Sequence, residues 1–293
     1  MKNNKITTAL LFTILLLEVI CRYFGLNTYP LYIKSKDYEY ALKPNQNTVI
    51  YRNKFITNEY SMRSTSMSYK DTSVILLIGD SVINGGNLIS HENLASTILE
   101  NELSKVLKKN IRVLNISAKS WGPDNGAAFI KKHGLFDADI IFLIVSSHDA
   151  FDTMTFSNIV GVSPDHPDKN TLFATHTLLK KIYNRYFPKT IHEIPVQKKW
   201  NTGFNYFKNI SKFNNIPIYI YIHSTKTEQK AHTYENGGKE IIQFCKKNKI
   251  TIIKGIDFEQ EKYYFDDIHM NDSGQLFLSK ILFPYILENK NKL

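Results

Sequence analysis

Continuous apolar runs alternate along the chain with longer segments whose apolar residues recur at helical spacing. The clearest run is Val74–Ile78, with the sequence VILLI. An apolar run without polar alternation is typical of a parallel strand that is covered on both faces. Similar runs predict four more strands, at Ile111–Ile116, Ile140–Val145, Ile216–Ile222 and Thr251–Ile253.

Apolar residues three or four positions apart predict the helices that connect these strands. The predicted helices are Leu94–Leu107, Asn125–His133, Thr171–Tyr186, Val196–Phe213, Gly237–Lys247 and Asp272–Leu287. Asp272 is the predicted N-cap of the last helix, because its carboxylate can accept hydrogen bonds from the first turn. Strands regularly separated by helices predict right-handed crossovers and an α/β fold with a central parallel sheet. Functional residues of such folds collect at the carboxyl ends of the strands.

The alternating pattern begins at residue 74, so residues 74–293 are predicted to form the main domain. Residues 27–73 precede it as a loop-rich lead-in, with short strands predicted at Tyr38–Tyr40 and Thr48–Tyr51. The polar stretch Phe156–Asn170 contains two prolines and is interpreted as an insertion over one end of the sheet.

Residues 1–26 are predicted to form an uncleaved signal-anchor. Lys2 and Lys5 precede the apolar run Ile6–Ile20, which only threonines and Glu18 interrupt. The bulky residues that follow do not resemble a small-residue cleavage site. Because the lysines hold the amino terminus in the cytoplasm, we expect one pass through the cytoplasmic membrane with the remainder outside. The alternative is a buried amino-terminal helix of a soluble protein.

Composition narrows the classes of function. The chain has 293 residues, of which 43% are hydrophobic and 22% charged, so it can bury a core and is neither disordered nor multi-pass. Its two cysteines exclude a disulfide scaffold and a four-cysteine zinc site. The net charge of +10 is scattered and no nucleic-acid motif accompanies it, so we expect no nucleic-acid partner. Attraction to anionic lipid or acidic polysaccharide is the alternative use of this charge.

Ser81 and His269 carry the strongest chemical signal. Ser81 follows the first buried strand in a Gly-Asp-Ser sequence, where its hydroxyl is expected at the carboxyl edge of the sheet. A serine hydroxyl is a weak nucleophile and needs a base within hydrogen-bond reach. His269 lies just before the last helix, three residues after Asp266, so this carboxylate can orient its imidazole. The pattern predicts a triad of Ser81, His269 and a neighbouring carboxylate, Asp266 or Asp267.

Four blocks of sequence together resemble the SGNH/GDSL hydrolase family. The blocks are Gly79-Asp80-Ser81, Asn115–Pro123, Ser146–Asp149 and Asp266–His269. They are similar to those of the membrane-anchored esterases and acyltransferases encoded with bacterial surface polysaccharides. The resemblance implies a flavodoxin-like three-layer fold, the triad above with Asp266 favoured over Asp267, no cofactor and no metal. It also implies an oxyanion held by the N–H groups of Ser81 and Gly122.

His148 departs from the family pattern, because it stands where the family usually has an asparagine that donates to the oxyanion. An imidazole N–H can donate in the same way, so His148 is predicted to replace that amide. The alternative is that His148 only braces its loop through Asp149 or Asp152. Three further residues near the strand ends are candidates for substrate binding or for purely structural roles, namely Asn84, Trp121 and His223.

The resemblance implies serine-dependent ester hydrolysis, of the O-acetyl esterase type, on an acylated carbohydrate outside the cytoplasmic membrane. An O-acyltransferase using the same site is one alternative, since water exclusion and the position of the acceptor separate the two reactions. A lipase or phospholipase is another, and requires a large apolar groove beside Ser81. A reading of a different class is a non-catalytic, membrane-anchored protein that binds or assembles polysaccharide, which only the His148 departure favours.

Overall fold

A long apolar helix begins the computed structural model, which describes residues 2–67, 73–187 and 199–293. This helix is α1 (Lys2–Tyr23). Over Lys5–Tyr23 it has a mean hydropathy of 1.8 and is long and apolar enough to be a membrane anchor or a signal sequence. Only 6% of its most apolar stretch of 18 residues is buried inside the molecule, so the rest of the chain does not cover α1 as it would cover the core helix of a soluble protein.

Two antiparallel hairpins follow α1. The first pairs β1 (Tyr32–Ser35) with β2 (Glu39–Leu42), and the second pairs β3 (Asn47–Ile50) with β4 (Asn53–Ile56). Of these strands the sequence predicted β2 and β3, with slightly different ends. Residues 68–72, at the end of the predicted lead-in, lie outside the described residues. Buried side chains of both hairpins join the core of the sheet that follows, so the lead-in is packed on the main domain.

A five-stranded parallel sheet forms the centre of the molecule. Its strands in chain order are β5 (Ser73–Gly79), β6 (Ile111–Ser117), β7 (Ala138–Ser146), β8 (Ile218–His223) and β9 (Thr251–Lys254). In space the order is β6-β5-β7-β8-β9, and every neighbouring pair is parallel. Counted by appearance, this is the 2-1-3-4-5 order of flavodoxin-like sheets. The predicted α/β fold and its five strands are confirmed.

Helices cover both faces of the sheet and give the molecule three layers. They are α2 (Ser81–Asn84), α3 (Ala95–Leu107), α4 (Pro123–His133), α5 (Ala174–Tyr186), α6 (Gly203–Asn214), α7 (Lys226–Ala231), α8 (Asn236–Asn248) and α9 (Asp272–Leu287). Successive residues of a strand point to opposite faces. Ile75 and Leu77 of β5 therefore pack against α3 and α9, while Leu76 and Ile78 pack with side chains of α4, α6 and α8.

The predicted elements differ from the observed ones at their ends. Helix α6 begins at Gly203 rather than at residue 196, and residues 196–198 lie outside the described residues. Asn271, not Asp272, caps α9, since its side chain accepts the Gly274 N–H at 3.0 Å. The short, polar helix α7 was not predicted, because it carries too few apolar residues to show a helical period.

Candidate active site

Ser81 lies directly beyond the carboxyl end of β5, where the strand order of the sheet reverses. It is the first residue of α2, and Asp80 caps this helix by accepting the Val82 N–H at 2.9 Å. Only glycine fits at Gly79, because a Cβ there would stand 2.5 Å from the Ile144 carbonyl oxygen of β7. The close passage of the two strands and the capped turn hold the Ser81 hydroxyl at the rim of the sheet.

The structure brings Ser81, His269 and Asp266 together, although 188 positions separate the serine from the histidine. His269 Nε2 lies 3.0 Å from Ser81 Oγ, and His269 Nδ1 lies 2.7 Å from Asp266 Oδ2. The second carboxylate oxygen, Oδ1, accepts the backbone N–H groups of Ile268 at 3.0 Å and His269 at 2.8 Å. The three side chains have the arrangement of a nucleophile, a base and an orienting carboxylate.

Hydrogen bonds hold Asp266 in its ionised form. Burial alone would raise the pKa of its carboxyl, but bonds from the His269 backbone and ring and from the Ile268 N–H outweigh burial. They lower the pKa from 3.8 to about 2. The charged carboxylate favours a proton on His269 Nδ1, which leaves Nε2 as the acceptor for the Ser81 proton.

Gln275 ties the helix that follows His269 to the elements around the serine. Its Oε1 accepts the Ala95 N–H at 3.0 Å, and its Nε2 donates to the Val82 carbonyl oxygen at 2.6 Å. Because Val82 is the neighbour of Ser81, this buried amide fixes α9 against α2. No sequence motif marks Gln275, since it is one polar residue on an apolar helix face.

His223 is fully buried, so of its two predicted roles the structure favours the structural one over substrate binding. Its ring lies between Glu259 Oε1, at 2.6 Å from Nδ1, and the Ile268 carbonyl oxygen, at 2.7 Å from Nε2. Burial would lower the pKa of His223, but Glu259 outweighs burial and raises it. Burial would raise the pKa of Glu259, but His223 and hydroxyl donors lower it from 4.5 to about 2. The resulting ion pair fixes the peptide that precedes His269.

Replacing Glu259 with alanine is expected to lower the free energy of unfolding by about 3–5 kcal/mol, because it leaves a buried imidazolium unpaired. Urea denaturation of the detergent-solubilised chain measures this. Glu261→Ala is the matched control: Glu261 is 62% exposed and faces Lys230 across 3.5 Å, so little change is expected. Equal losses in the two variants would contradict the assignment.

The same pair gives a pH dependence with a defined sign. Glu259 has a lowered pKa, so its contribution to stability is present above pH 4.5 and lost as the pH falls towards 2. His223 has a raised pKa, so its contribution is complete below pH 6.5 and lost as the pH rises through the raised value. Glu259→Ala should remove both limbs from the dependence of unfolding on pH.

Of three comparisons with known proteins, only the one with solved structures finds proteins similar to this chain. No protein-family model and no curated protein matches this chain. The psychrotrophic esterase EstA from Pseudoalteromonas sp. is 12% identical, covers 76% of this chain over 100% of its own length, and has a TM-score of 0.43. The lipase/acylhydrolase from Enterococcus faecalis is 12% identical, with coverages of 75% and 97% and a TM-score of 0.44. TesA is 11% identical, with coverages of 74% and 99% and a TM-score of 0.47.

The first two of these neighbours are an esterase and a lipase/acylhydrolase, the class of enzyme that the sequence motifs resemble. Identities of 11–12% and TM-scores below 0.5 are too low to transfer a substrate or the role of a residue. The chemistry of this chain is therefore derived from its own side chains.

Gly122 does not offer a free N–H to an oxyanion, contrary to the prediction. It is the N-cap residue of α4, and its N–H donates to Asn125 Oδ1 at 2.9 Å. Because Asn125, in the first turn of α4, accepts the Gly122 N–H, this donor is already satisfied within the start of the helix. The Ser81 N–H and His148 are the two remaining members of the predicted oxyanion hole.

The side-chain N–H donors of Trp121 and Asn84 are bonded within the protein and are not free to bind a substrate. Trp121 is 3% exposed, and its Nε1 donates to the Tyr40 carbonyl oxygen at 2.9 Å. The buried amide of Asn84 donates to the carbonyl oxygen of Ser117 at 3.0 Å and to its hydroxyl at 3.1 Å. Asn84 borders the cleft in front of Ser81, but both of its N–H donors are directed to β6.

His148 lies between two buried carboxylates at the edge of the sheet. Its Nε2 is 3.7 Å from Asp80 Oδ2 and 3.6 Å from Asp149 Oδ1, while 44% of its side chain is exposed. The charge of Asp149 outweighs burial and raises the pKa of His148, and Asp80 adds to this effect. Burial also raises the pKa of Asp149. The pair therefore keeps a proton above the usual titration range of histidine.

A metal ion could use the same three side chains. Among the described residues, the ligand atoms of Asp80, His148 and Asp149 form one such group, all within 4.8 Å of one another. An imidazole that carries a proton attracts the two carboxylates on either side of it, so the spacing does not require a metal ion. The expectation of no metal and no cofactor stays a prediction.

A cleft of ≈ 420 Å³ opens in front of Ser81 and His269. Side chains from distant parts of the chain line it, among them Tyr29, Tyr51, Asn87, Lys119, Asp165 and Lys181. The insertion Phe156–Asn170 contributes Pro164 and Asp165, and the lead-in contributes the tyrosines. No sequence motif marks these residues, because isolated polar and aromatic side chains from separate loops and from α5 show no spacing that links them to one site.

Proposed function

We propose that this chain is a membrane-anchored serine ester hydrolase of the SGNH/GDSL type. Ser81 is the nucleophile, His269 the base and Asp266 the orienting carboxylate. The observation that carries the proposal is the 3.0 Å distance from Ser81 Oγ to His269 Nε2, with Asp266 at 2.7 Å behind the ring. A binding module gains nothing from a hydroxyl held against an oriented imidazole.

The proposed reaction has two stages with one proton carrier. Ser81 Oγ attacks the acyl carbon while His269 Nε2 takes the hydroxyl proton. The tetrahedral intermediate collapses, and the leaving alcohol takes that proton from His269. Water then gives a proton to His269 and attacks the acyl-enzyme, which releases the carboxylic acid and returns the proton to Ser81.

Two donors are proposed for the oxyanion, the Ser81 N–H and the ring of His148. The position of His148 beside Asp80, the residue before the nucleophile, supports its part. An exposed, cationic imidazole strengthens the attraction to a developing negative charge.

His148→Ala is expected to lower kcat by about 10²–10³-fold, the usual effect of losing one oxyanion donor. His148→Asn should retain most of the activity, since an amide also donates. Because the pKa of His148 is raised, wild-type activity should persist above pH 6.5 and fall as the pH passes the raised value. The alkaline loss should vanish in His148→Asn. If both variants match the wild type, His148 only braces its loop.

An O-acetylated carbohydrate is the proposed substrate. The cleft presents tyrosine rings together with amide, carboxylate and ammonium groups, a combination that suits the apolar faces and hydroxyls of a sugar. Lys181 Nζ lies 4.3 Å from the centre of the Tyr51 ring, and this cation–π contact holds the two side chains in place in the lining of the cleft. A lipase would instead need an extended apolar groove at Ser81.

Retention of α1 as a membrane anchor, with the catalytic domain outside the cytoplasm, is part of the proposal. Glu18 and Arg22 near the end of α1 bond to each other at 2.7 Å and to residues 172–175 of the main domain. A segment that is removed after export has no reason to make such contacts. These bonds support an uncleaved anchor.

Hydrolysis and acyl transfer remain distinct outcomes of the same site, and one experiment separates them. The chain is incubated with an acetyl ester donor, with and without an oligosaccharide acceptor. We expect free acetate at the same rate in both reactions, with Ser81→Ala inactive. Acetylated oligosaccharide formed at the expense of acetate would establish the O-acyltransferase instead.

A non-catalytic polysaccharide-binding protein is the candidate of another class. Only the replacement of the family asparagine by His148 favours it. It is supported if the wild-type chain binds oligosaccharide while neither acetate nor acetylated product forms in either reaction.

A further inference from the structure

Helix α5 carries an apolar face that the rest of the described chain leaves uncovered. Leu179 is 64% exposed, Ile182 46%, Tyr183 58% and Tyr186 73%. Residues spaced in this way lie on one side of a helix, so the four side chains form one continuous stripe. Contiguous exposed apolar surface marks a contact with a partner or a membrane.

The amino terminus of α5 is fixed to the outer part of α1. Glu18 Oε1 accepts the Ala174 N–H at 2.9 Å, and Oε2 accepts the Thr175 N–H at 2.9 Å. Arg22 donates to the Leu172 carbonyl oxygen at 2.5 Å. Glu18 therefore caps α5 from a neighbouring helix, and its charge suits the positive end of the α5 dipole. In a membrane, the first residues of α5 therefore lie at the same depth as the outer end of α1.

The composition of α5 matches an interfacial helix. Lys180 and Arg185 lie off the apolar stripe, and the helix contains no acidic residue. Tyr183 stacks on Phe187 with ring centres 4.9 Å apart, next to the exposed Tyr186. Tyrosines gather at the boundary between lipid and water, and lysines and arginines attract anionic headgroups.

We propose that α5 lies in the outer interface of the membrane beside α1, with Leu179, Ile182, Tyr183 and Tyr186 among the lipids. This rests on the membrane anchoring that is part of the proposed function. Lys181 lies on the opposite side of α5 from the stripe, and it lines the Ser81 cleft. The cleft is therefore separated from the lipids by one helix diameter, about 10 Å, and the ester that it takes is presented close to the membrane surface.

Three single-cysteine variants of the full chain test the depth of α5. Leu10→Cys in α1, Ile182→Cys on the stripe and Phe213→Cys on α6 are each labelled with bimane. Phe213 is a matched apolar control: it is 89% exposed and lies near the end of α6, shortly before the amino end of β8, while Ser81 lies at the carboxyl ends of the strands. The native Cys21 and Cys245 are buried, so the unsubstituted chain gives the labelling background. The proteins are reconstituted in phosphatidylethanolamine and phosphatidylglycerol vesicles with a nitroxide-labelled phospholipid.

We expect the nitroxide lipid to remove most of the bimane fluorescence at positions 10 and 182 and to leave position 213 unchanged. Quenching at 10 without quenching at 182 overturns the inference and leaves the anchor in place. Position 182 protected from water-soluble iodide but not quenched by lipid also overturns it, because a protein, such as a second copy, then covers the stripe. No quenching at position 10 removes the anchor itself.

Catalysis is measured separately, by fluorophosphonate labelling of Ser81 in the same vesicles. Failed labelling together with quenching at 182 would end the proposed chemistry and keep the interfacial helix. The variant Ile182→Asp/Tyr186→Asp should hydrolyse a soluble acetyl ester at the wild-type rate and lose activity towards an acetyl ester held in the vesicles. Equal rates of the variant and the wild type on the vesicle-bound ester would contradict presentation at the membrane surface.

Discussion

Replacing His269 with alanine is expected to lower kcat for ester hydrolysis by about 10⁶-fold, and Ser81→Ala by a similar factor. The reason is geometric: with His269 Nε2 3.0 Å from Ser81 Oγ, the two side chains act as one proton-transfer unit. Removing either member removes the activated nucleophile. The double variant should therefore be no slower than either single variant, because only one function is lost. Steady-state hydrolysis of a soluble acetyl ester measures all three.

His176→Ala is the control for the histidine, since His176 is an exposed residue of α5 outside the cleft. Its activity should equal that of the wild type. A double variant whose rate loss is the product of the two single losses would mean that Ser81 and His269 act independently. That result would contradict the triad.

Asp266→Asn is expected to lower kcat by about 10⁴-fold with little change in KM, because the amide no longer holds the proton on His269 Nδ1. The pKa of Asp266 is lowered to about 2, so the carboxylate is charged at every pH where the enzyme is assayed. The carboxamide of the variant does not titrate, so a change of pH in the neutral range should not restore a charge behind His269.

Asp267→Asn separates this effect from the general loss of a negative charge in the loop. Asp267 Oδ1 accepts the Thr227 N–H at 3.2 Å and its hydroxyl at 3.0 Å, away from the imidazole. Its substitution should leave kcat close to the wild-type value. A larger loss in Asp267→Asn than in Asp266→Asn would reverse the assignment of the orienting residue.

The predictable part of the fold lies where burial dictates the sequence. Strands covered on both faces, such as Val74–Ile78, are mostly apolar, and this made β5 to β8 visible. The strands of the two hairpins have only four residues each, too few to show a clear alternation of apolar and polar residues. The N-cap shifted from Asp272 to Asn271 because either side chain can cap a helix and only the local backbone decides.

The site was predictable where a motif fixes both the residue and its position at a strand end. Ser81 and the Asp266-to-His269 spacing are of this kind. The Gly122 N–H, by contrast, donates to the Asn125 side chain, and this hydrogen bond depends on the backbone geometry at the start of α4. His223 ends β8, so it was expected at the same edge of the sheet as Ser81. Its ring is instead paired with Glu259, a carboxylate from a different loop. Side-chain partners from distant loops have no signature in a single sequence.

Covalent labelling of the full chain by a fluorophosphonate, with the modified residue located by mass spectrometry, tests the central claim most directly. The claim is that His269 activates Ser81. We expect the adduct on Ser81 in the wild type, none in Ser81→Ala, and labelling slowed by orders of magnitude in His269→Ala. An adduct on another serine, or rapid labelling of Ser81 without His269, would contradict it.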